Sequence, residues 1–261
     1  MFPHHEVAIA NVITRFSADP DVLGILLGGS LAHGYATESS DVDILLVISD
    51  IQFAERELRL DTAFSDVELA GYDGGYIDVK YVSPGYIDLV ATKGSEPARF
   101  AFDGAQVLFS RIDGLDSAIA EASRYPVDAK LDRIARFAAQ VDAWTWMAGE
   151  AEKKQNPYLA ATAASRVVLF AGRMLLAHNE RLYPFHKWFL RELDGAPQKP
   201  AGIVELMRSV TATPSAAGAE AVAGAVFAYR DWERGEISWP NRFLFDTEQS
   251  WMRDAAAVED L

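Results

Sequence analysis

In the first third of the chain the apolar positions fall into short unbroken runs. Ile44-Leu45-Leu46-Val47-Ile48 is continuous, the pattern of a strand covered on both faces, and Val22 to Leu27 is the expected neighbouring strand. Between them, Gly28-Gly29-Ser30 reads as a turn that leads into a short helical crossing. Tyr76 to Ser83 alternates instead, with Ile77, Val79 and Tyr81 on one face and Tyr76, Asp78, Lys80 and Val82 on the other, which predicts a strand. Ala105 to Ser110 reads as a last short strand. Helical spacing marks Glu6 to Phe16, Ile51 to Phe64, Tyr86 to Lys93 after Pro84, and Leu115 to Arg124. His4 and His5 precede the first helix and read as a frayed terminus; Glu55, Arg56, Glu57 and Arg59 read as a solvated face.

Past Tyr125-Pro126 the pattern changes to long helical periods with few strand candidates. Asp128 to Gly149 is predicted helical. Asn156-Pro157 is an N-cap and first-turn signal for a helix to about His178, with Arg166 and Arg173 seven apart on one face. Tyr183-Pro184 and Gly195 enclose a further predicted helix, with Phe185, Trp188, Phe189 and Leu193 as its apolar stripe and Lys187 and Arg191 as an i, i+4 pair. Residues 198–212 read as a helix, Thr213-Pro214 opens an alanine-rich one to about Arg234, and 241–252 continues as helix or irregular chain. The expected fold class is α+β: a small mixed sheet with flanking helices over residues 1–125, followed by an all-α bundle over 126–261.

The chemistry gathers at the second strand. Asp41 and Asp43 are two apart, so they project from one face with Cα atoms about 6.6 Å apart. Two carboxylates at the mouth of a buried strand are costly unless cationic or hydrogen-bonding partners offset the desolvation. Hard oxygen donors suit Mg²⁺ or Mn²⁺, and Mg²⁺ is commonly shared between carboxylates and substrate phosphates. The Gly28-Gly29-Ser30 turn offers those phosphates a seat, since glycine lets backbone approach a ligand closely.

In order, GGSLAHGYATESSDVDILLVI resembles the signature of the nucleotidyltransferase superfamily typified by DNA polymerase β, with Gly29, Ser30, Ser40, Asp41 and Asp43 at the matching positions. By motif the resemblance covers residues 28–83; in architecture it extends to two-domain aminoglycoside and lincosamide nucleotidyltransferases. It implies transfer of a nucleoside monophosphate from an NTP, ATP first among them, to a hydroxyl of a small molecule such as an antibiotic, with release of pyrophosphate. Asp41 and Asp43 would be metal ligands, and Gly28, Gly29, Ser30 and Ser40 would contact the nucleotide. A third acid on a neighbouring strand, matched by Asp78, would complete the metal site or act as base; Glu68 and Asp73 compete for that place. His33 would fill the turn or touch phosphate. The YPFHKWFLREL segment also resembles one found in bacterial members of the superfamily. Lys187 and Arg191, then Arg166 and Arg173, are the expected NTP-binding cations of the helical half. Transfer to a protein or tRNA, and nucleotide binding without turnover, are the competing readings.

Charge favours a small acceptor. Residues 1–125 hold 20 acidic and 8 basic side chains, against 18 and 16 in the remainder, within a chain of net charge −14. Affinity for long nucleic acid draws on Lys and Arg against phosphates, so such a partner is disfavoured. No cysteine is present, which excludes disulfides and thiolate metal sites and is compatible with the cytoplasm. No basic leader or membrane-spanning apolar run is apparent in the sequence.

Overall fold

The computed structural model describes residues 1–253 and 257–261, and the chain divides into two compact units, Met1–Arg124 and Tyr125–Leu261. The first is built on a five-stranded sheet of β1 (Gly24–Leu27), β2 (Val42–Val47), β3 (Ala63–Asp66), β4 (Ile77–Val82) and β5 (Gln106–Ser110). The spatial order is β3-β4-β2-β1-β5; β2 and β4 run parallel and every other pair antiparallel, so the sheet is mixed. Seven helices accompany it: α1 (Pro3–Ser17), α2 (Gly29–Ala32), α3 (Asp50–Leu58), α4 (Val67–Ala70), α5 (Pro84–Lys93), α6 (Glu96–Phe100) and α7 (Leu115–Ala122).

The unbroken apolar run of β2 has its cause in two cores. Val42, Ile44 and Leu46 face α1, where Ala8, Ile9, Val12 and Phe16 supply the buried stripe. Leu45 and Val47 face the other way, into Val82, Ile87, Val90, Phe102, Leu115 and Ile119. Local signals start the helices. Ser49 and Gln52 form a capping box for α3, and Ser83 caps α5 ahead of Pro84.

Two expectations for this unit change. The predicted helix over 51–64 stops at Leu58, and Ala63–Asp66 forms the edge strand β3 beside β4. Leu60 in the left-handed region, φ 55°, ends the helix and turns the chain back. Nor is Arg56 merely solvated: its guanidinium lies 3.8 Å from the Tyr81 ring centroid and pairs with Asp61 at 2.7 Å.

The second unit contains α8 (Lys130–Lys153), α9 (Pro157–His178), α10 (Phe189–Asp194), α11 (Ile203–Ala212), α12 (Ala216–Tyr229) and α13 (Trp239–Asp246). Helices α8 and α9 pack along their lengths, α12 lies on both, α11 on α9 and α12, and α13 on α8. Asn156 accepts from the Leu159 N–H and Pro157 starts α9. Helix α9 is long and apolar enough to cross a membrane by length and composition alone, but Arg166 and Arg173 interrupt its apolar run and 67% of that stretch is buried. Helix α12 is capped by Ser215, two residues beyond the expected Thr213, and ends at Tyr229.

The expected helix over 184–195 is cut to Phe189–Asp194. Phe185 sits in the left-handed region at φ 67°, so the preceding stretch cannot be helical, and Tyr183 Oη meets His186 Nδ1 at 3.0 Å. Lys187 therefore lies in a turn and is not helically paired with Arg191. Both are exposed and flank Trp188, with Nζ 5.1 Å and Cζ 5.7 Å from its ring. Arg173 is also unlike a ligand-binding surface cation: it is buried between the Phe137 and Tyr183 rings and donates to the Val258, Glu259 and Leu261 carbonyls. Arg166 pairs with Glu259.

Candidate active site

Parallel pairing of β2 and β4 puts Asp43 directly beside Asp78, with Leu45 beside Lys80 and Val47 beside Val82 on the next rungs. Asp43 and Asp78 are half-buried at one end of the sheet, on the face that α5, α6 and α7 cover further along. Asp41 lies one residue before β2 and completes the row: its carboxylate accepts a hydrogen bond from the Tyr76 hydroxyl. That bond, then the Asp41 charge, with lesser contributions from burial, Asp78 and Asp43, raises the Tyr76 phenol above its ordinary pKa of 10.0. Three carboxylates thus act on one hydroxyl. Lys80 Nζ pairs with Asp78 at 3.2 Å.

Gly29 shows why this turn needs glycine. Its φ is +61°, and a Cβ placed there would fall 1.7 Å from Asp43 Oδ2 and 2.4 Å from Asp43 Cγ. The Asp43 side chain occupies the space where any other residue would begin, so carboxylate and turn backbone touch. The Gly28 N–H donates to the Asp43 carbonyl at 3.0 Å, which fastens the turn to β2. Ser30 Oγ is buried and has no hydrogen-bond partner among the described residues. A buried hydroxyl left in that state is costly unless a ligand or water completes it.

Ser40 and His33 have local tasks. Ser40 Oγ accepts from the Thr37 N–H at 2.9 Å and closes the turn before Asp41. His33 caps α2 through Nδ1 and the Gly29 carbonyl, 2.8 Å apart, and stacks on Phe100 at 4.6 Å, the turn-filling arrangement. Glu68 lies in α4 and Asp73 in the following turn, whereas Asp78 has the in-register place beside Asp43.

The residues that sequence reasoning missed hold the Asp41 segment from behind. His4 and His5 lie in the first turn of α1, ordered by Pro3 at the helix start. His5 is fully buried, with Nε2 3.0 Å from the Ser40 carbonyl; His4 Nε2 is 2.9 Å from the Glu38 carbonyl. Tyr72 donates to the same Ser40 carbonyl at 2.7 Å, and its ring lies 4.6 Å from that of His4. Burial pushes the His5 pKa below its ordinary 6.5, against the Ser40 hydrogen bond, which favours the charged form. Burial followed by the Asp41 charge raises Tyr72.

The donors offered to a cation are hard carboxylate oxygens, with the Gly29 backbone against the Asp43 carboxylate, a donor set of the kind that suits Mg²⁺ or Mn²⁺. Among the described residues, no three His, Asp or Glu side chains form a preassembled metal cage. Asp78 and Asp41 are engaged instead by Lys80 and Tyr76.

No family model matches the chain, and no curated protein matches it. Among solved structures it is similar to a nucleotidyltransferase-like protein from Exiguobacterium sibiricum 255-15, at 13% identity and a TM-score of 0.48, over 96% of this chain and 81% of that one.

Proposed function

We propose that the protein transfers a nucleoside monophosphate from an NTP to a hydroxyl of a small molecule and releases pyrophosphate. The observation that carries this reading is the contact of the Asp43 carboxylate with the Gly29 backbone, in register beside Asp78. Phosphate seat and acid row are thereby one structure. Asp41, Asp43 and Asp78 would hold Mg²⁺ or Mn²⁺, which, when bound, neutralises developing charge on the attacking and leaving oxygens.

The chain's own groups have separable tasks. Ser30 Oγ and the Gly28-Gly29 backbone would hold the β- and γ-phosphates. Tyr76, through its bond to Asp41, would fix that carboxylate's orientation. Asp78 would take the acceptor proton, which requires a reach of about 2.6–3.2 Å to the hydroxyl. The acidic excess of residues 1–125 supports a small acceptor over tRNA.

The test is pyrophosphate release by the full chain with each of the four NTPs and Mg²⁺, against aminoglycosides, lincosamides and simple hydroxylated ring compounds. Release that depends on an acceptor and disappears in Asp43→Ala is the expected result. Equal release by Asp43→Ala would sink the assignment.

A further inference from the structure

The face of the sheet that carries Asp43 and Asp78 continues into a cavity of about 410 Å³, floored by the next rung, Leu45 and Lys80. Its walls are aromatic: Phe53 from α3, Tyr86 from α5 and Phe102, with Phe53–Tyr86 and Tyr86–Phe102 centroids 5.5 Å and 6.4 Å apart. Ala63 on the edge strand β3 lines it and is exposed. The charges around it are few, Lys80 and Glu57.

Its position follows the order of the reaction across the sheet. The Gly28-Gly29-Ser30 turn follows β1, Asp41 and Asp43 belong to β2, Asp78 to β4, and the cavity extends over β4 and β3. In-line displacement at phosphorus places the entering and leaving oxygens on opposite sides. With the leaving pyrophosphate at the turn, the entering oxygen comes from the β4 side, where Lys80, the ion-pair partner of Asp78, lines the cavity.

We propose that this cavity is the acceptor subsite, and that the acceptor is a flat ring bearing a hydroxyl, a phenol or hydroxylated heteroaromatic, rather than a polycationic amino sugar. The proposal rests on the nucleotidyl-transfer reading and narrows it. Three aromatic walls recognise a planar ring by stacking and apolar burial, and Glu57 is the one carboxylate that lines the cavity itself. In the reaction the ring hydroxyl gives its proton to Asp78, its oxygen bonds to the α-phosphorus, and the bond from that phosphorus to the bridging oxygen breaks. Pyrophosphate leaves with the electron pair, and the product is an aryl nucleoside monophosphate diester. Lys80, 3.2 Å from Asp78, favours the oxygen as its negative charge develops.

The probe is 2-naphthol, titrated into the full chain and followed by its fluorescence. Saturable one-to-one binding is expected, weakened at least about tenfold in Ala63→Trp, which fills the cavity mouth from an exposed edge, and in Phe53→Ala, and retained in Asp43→Asn. No binding, or equal binding by wild type and both cavity variants, overturns the subsite. Displacement of naphthol by adenosine would place the nucleobase in the cavity, and displacement by kanamycin would place an amino sugar there; either overturns the assignment. Naphthol binding with no pyrophosphate release from any NTP overturns nucleotidyl transfer, and with it the acceptor role, while leaving a ring-binding cavity.

Discussion

Gly29 and Gly34 make a matched pair of substitutions. Both glycines are in the left-handed region, at φ +61° and +72°, so alanine at either costs about 1–2 kcal/mol of backbone energy. They differ in what the new methyl meets. At Gly34 nothing lies within 4 Å; at Gly29 the Cβ would fall 1.7 Å from Asp43 Oδ2 and 2.8 Å from Asp43 Cβ. Such an overlap has to be relieved by turning the carboxylate aside or moving α2 off β2, at a further cost of about 1–3 kcal/mol. Gly29→Ala should therefore lose about 2–5 kcal/mol of stability and Gly34→Ala about 1–2 kcal/mol. Urea denaturation followed by circular dichroism measures both. The chemical consequence is sharper, because displacing a metal-binding carboxylate by about 1 Å can cost on the order of a hundredfold in rate. Pyrophosphate release should fall at least that far in Gly29→Ala and stay near wild type in Gly34→Ala. Equal stability and equal turnover in the two variants would refute the argument that Gly29 exists to admit Asp43.

Two further outcomes follow from other contacts. Burial lowers the His5 pKa, so below about 6.5 the unfolded chain takes up a proton that folded His5 resists. Stability should decline as pH falls through 6.5 toward the depressed folded value, and His5→Gln should flatten part of that decline in urea titrations at pH 5 to 8. His178, whose pKa burial also lowers, contributes the same sign from the second unit, so His178→Gln is the companion variant. Arg173→Met removes the donor to three carbonyls near the C-terminus while keeping much of the apolar stem; a loss of about 2–4 kcal/mol and faster proteolysis near Val258 are expected, and unchanged protease resistance would contradict the anchoring role.

Much of the first unit was legible because the local pattern leaves few alternatives. An apolar run of five residues ending a row of alternate acids admits few arrangements besides a strand between two cores, and β2 is that strand. Asn156-Pro157 acts through its own chain alone, so its helix start could be read directly. The misread places depend on distant partners or on unusual dihedrals. Strand β3 is a four-residue edge that β4 recruits, and its apolar Phe64 continues the helical period of α3 without a break. The helix before Trp188 fails because Phe185 takes φ 67°, which no side-chain pattern announces. His4 and His5 looked like a loose end, since their partners, the carbonyls of Glu38 and Ser40, lie more than thirty residues away. The signal that could have found them is a histidine pair placed immediately after a helix-starting proline, facing the buried stripe of α1. Tyr76 was visible on the correct face of its strand, but its bond to Asp41 comes from the pairing of β2 with β4.

We propose that the acid row and the Gly29 turn form a single seat for a divalent cation and an NTP. Calorimetric titration of each NTP into the full chain, with Mg²⁺ and with the cation chelated, tests it without needing the acceptor. At least one NTP is expected to bind one-to-one only with Mg²⁺ present, and Asp43→Asn to weaken this binding at least about tenfold while leaving the urea midpoint near wild type. Binding that ignores both Mg²⁺ and Asp43, or no binding of any NTP to a folded chain, would contradict it.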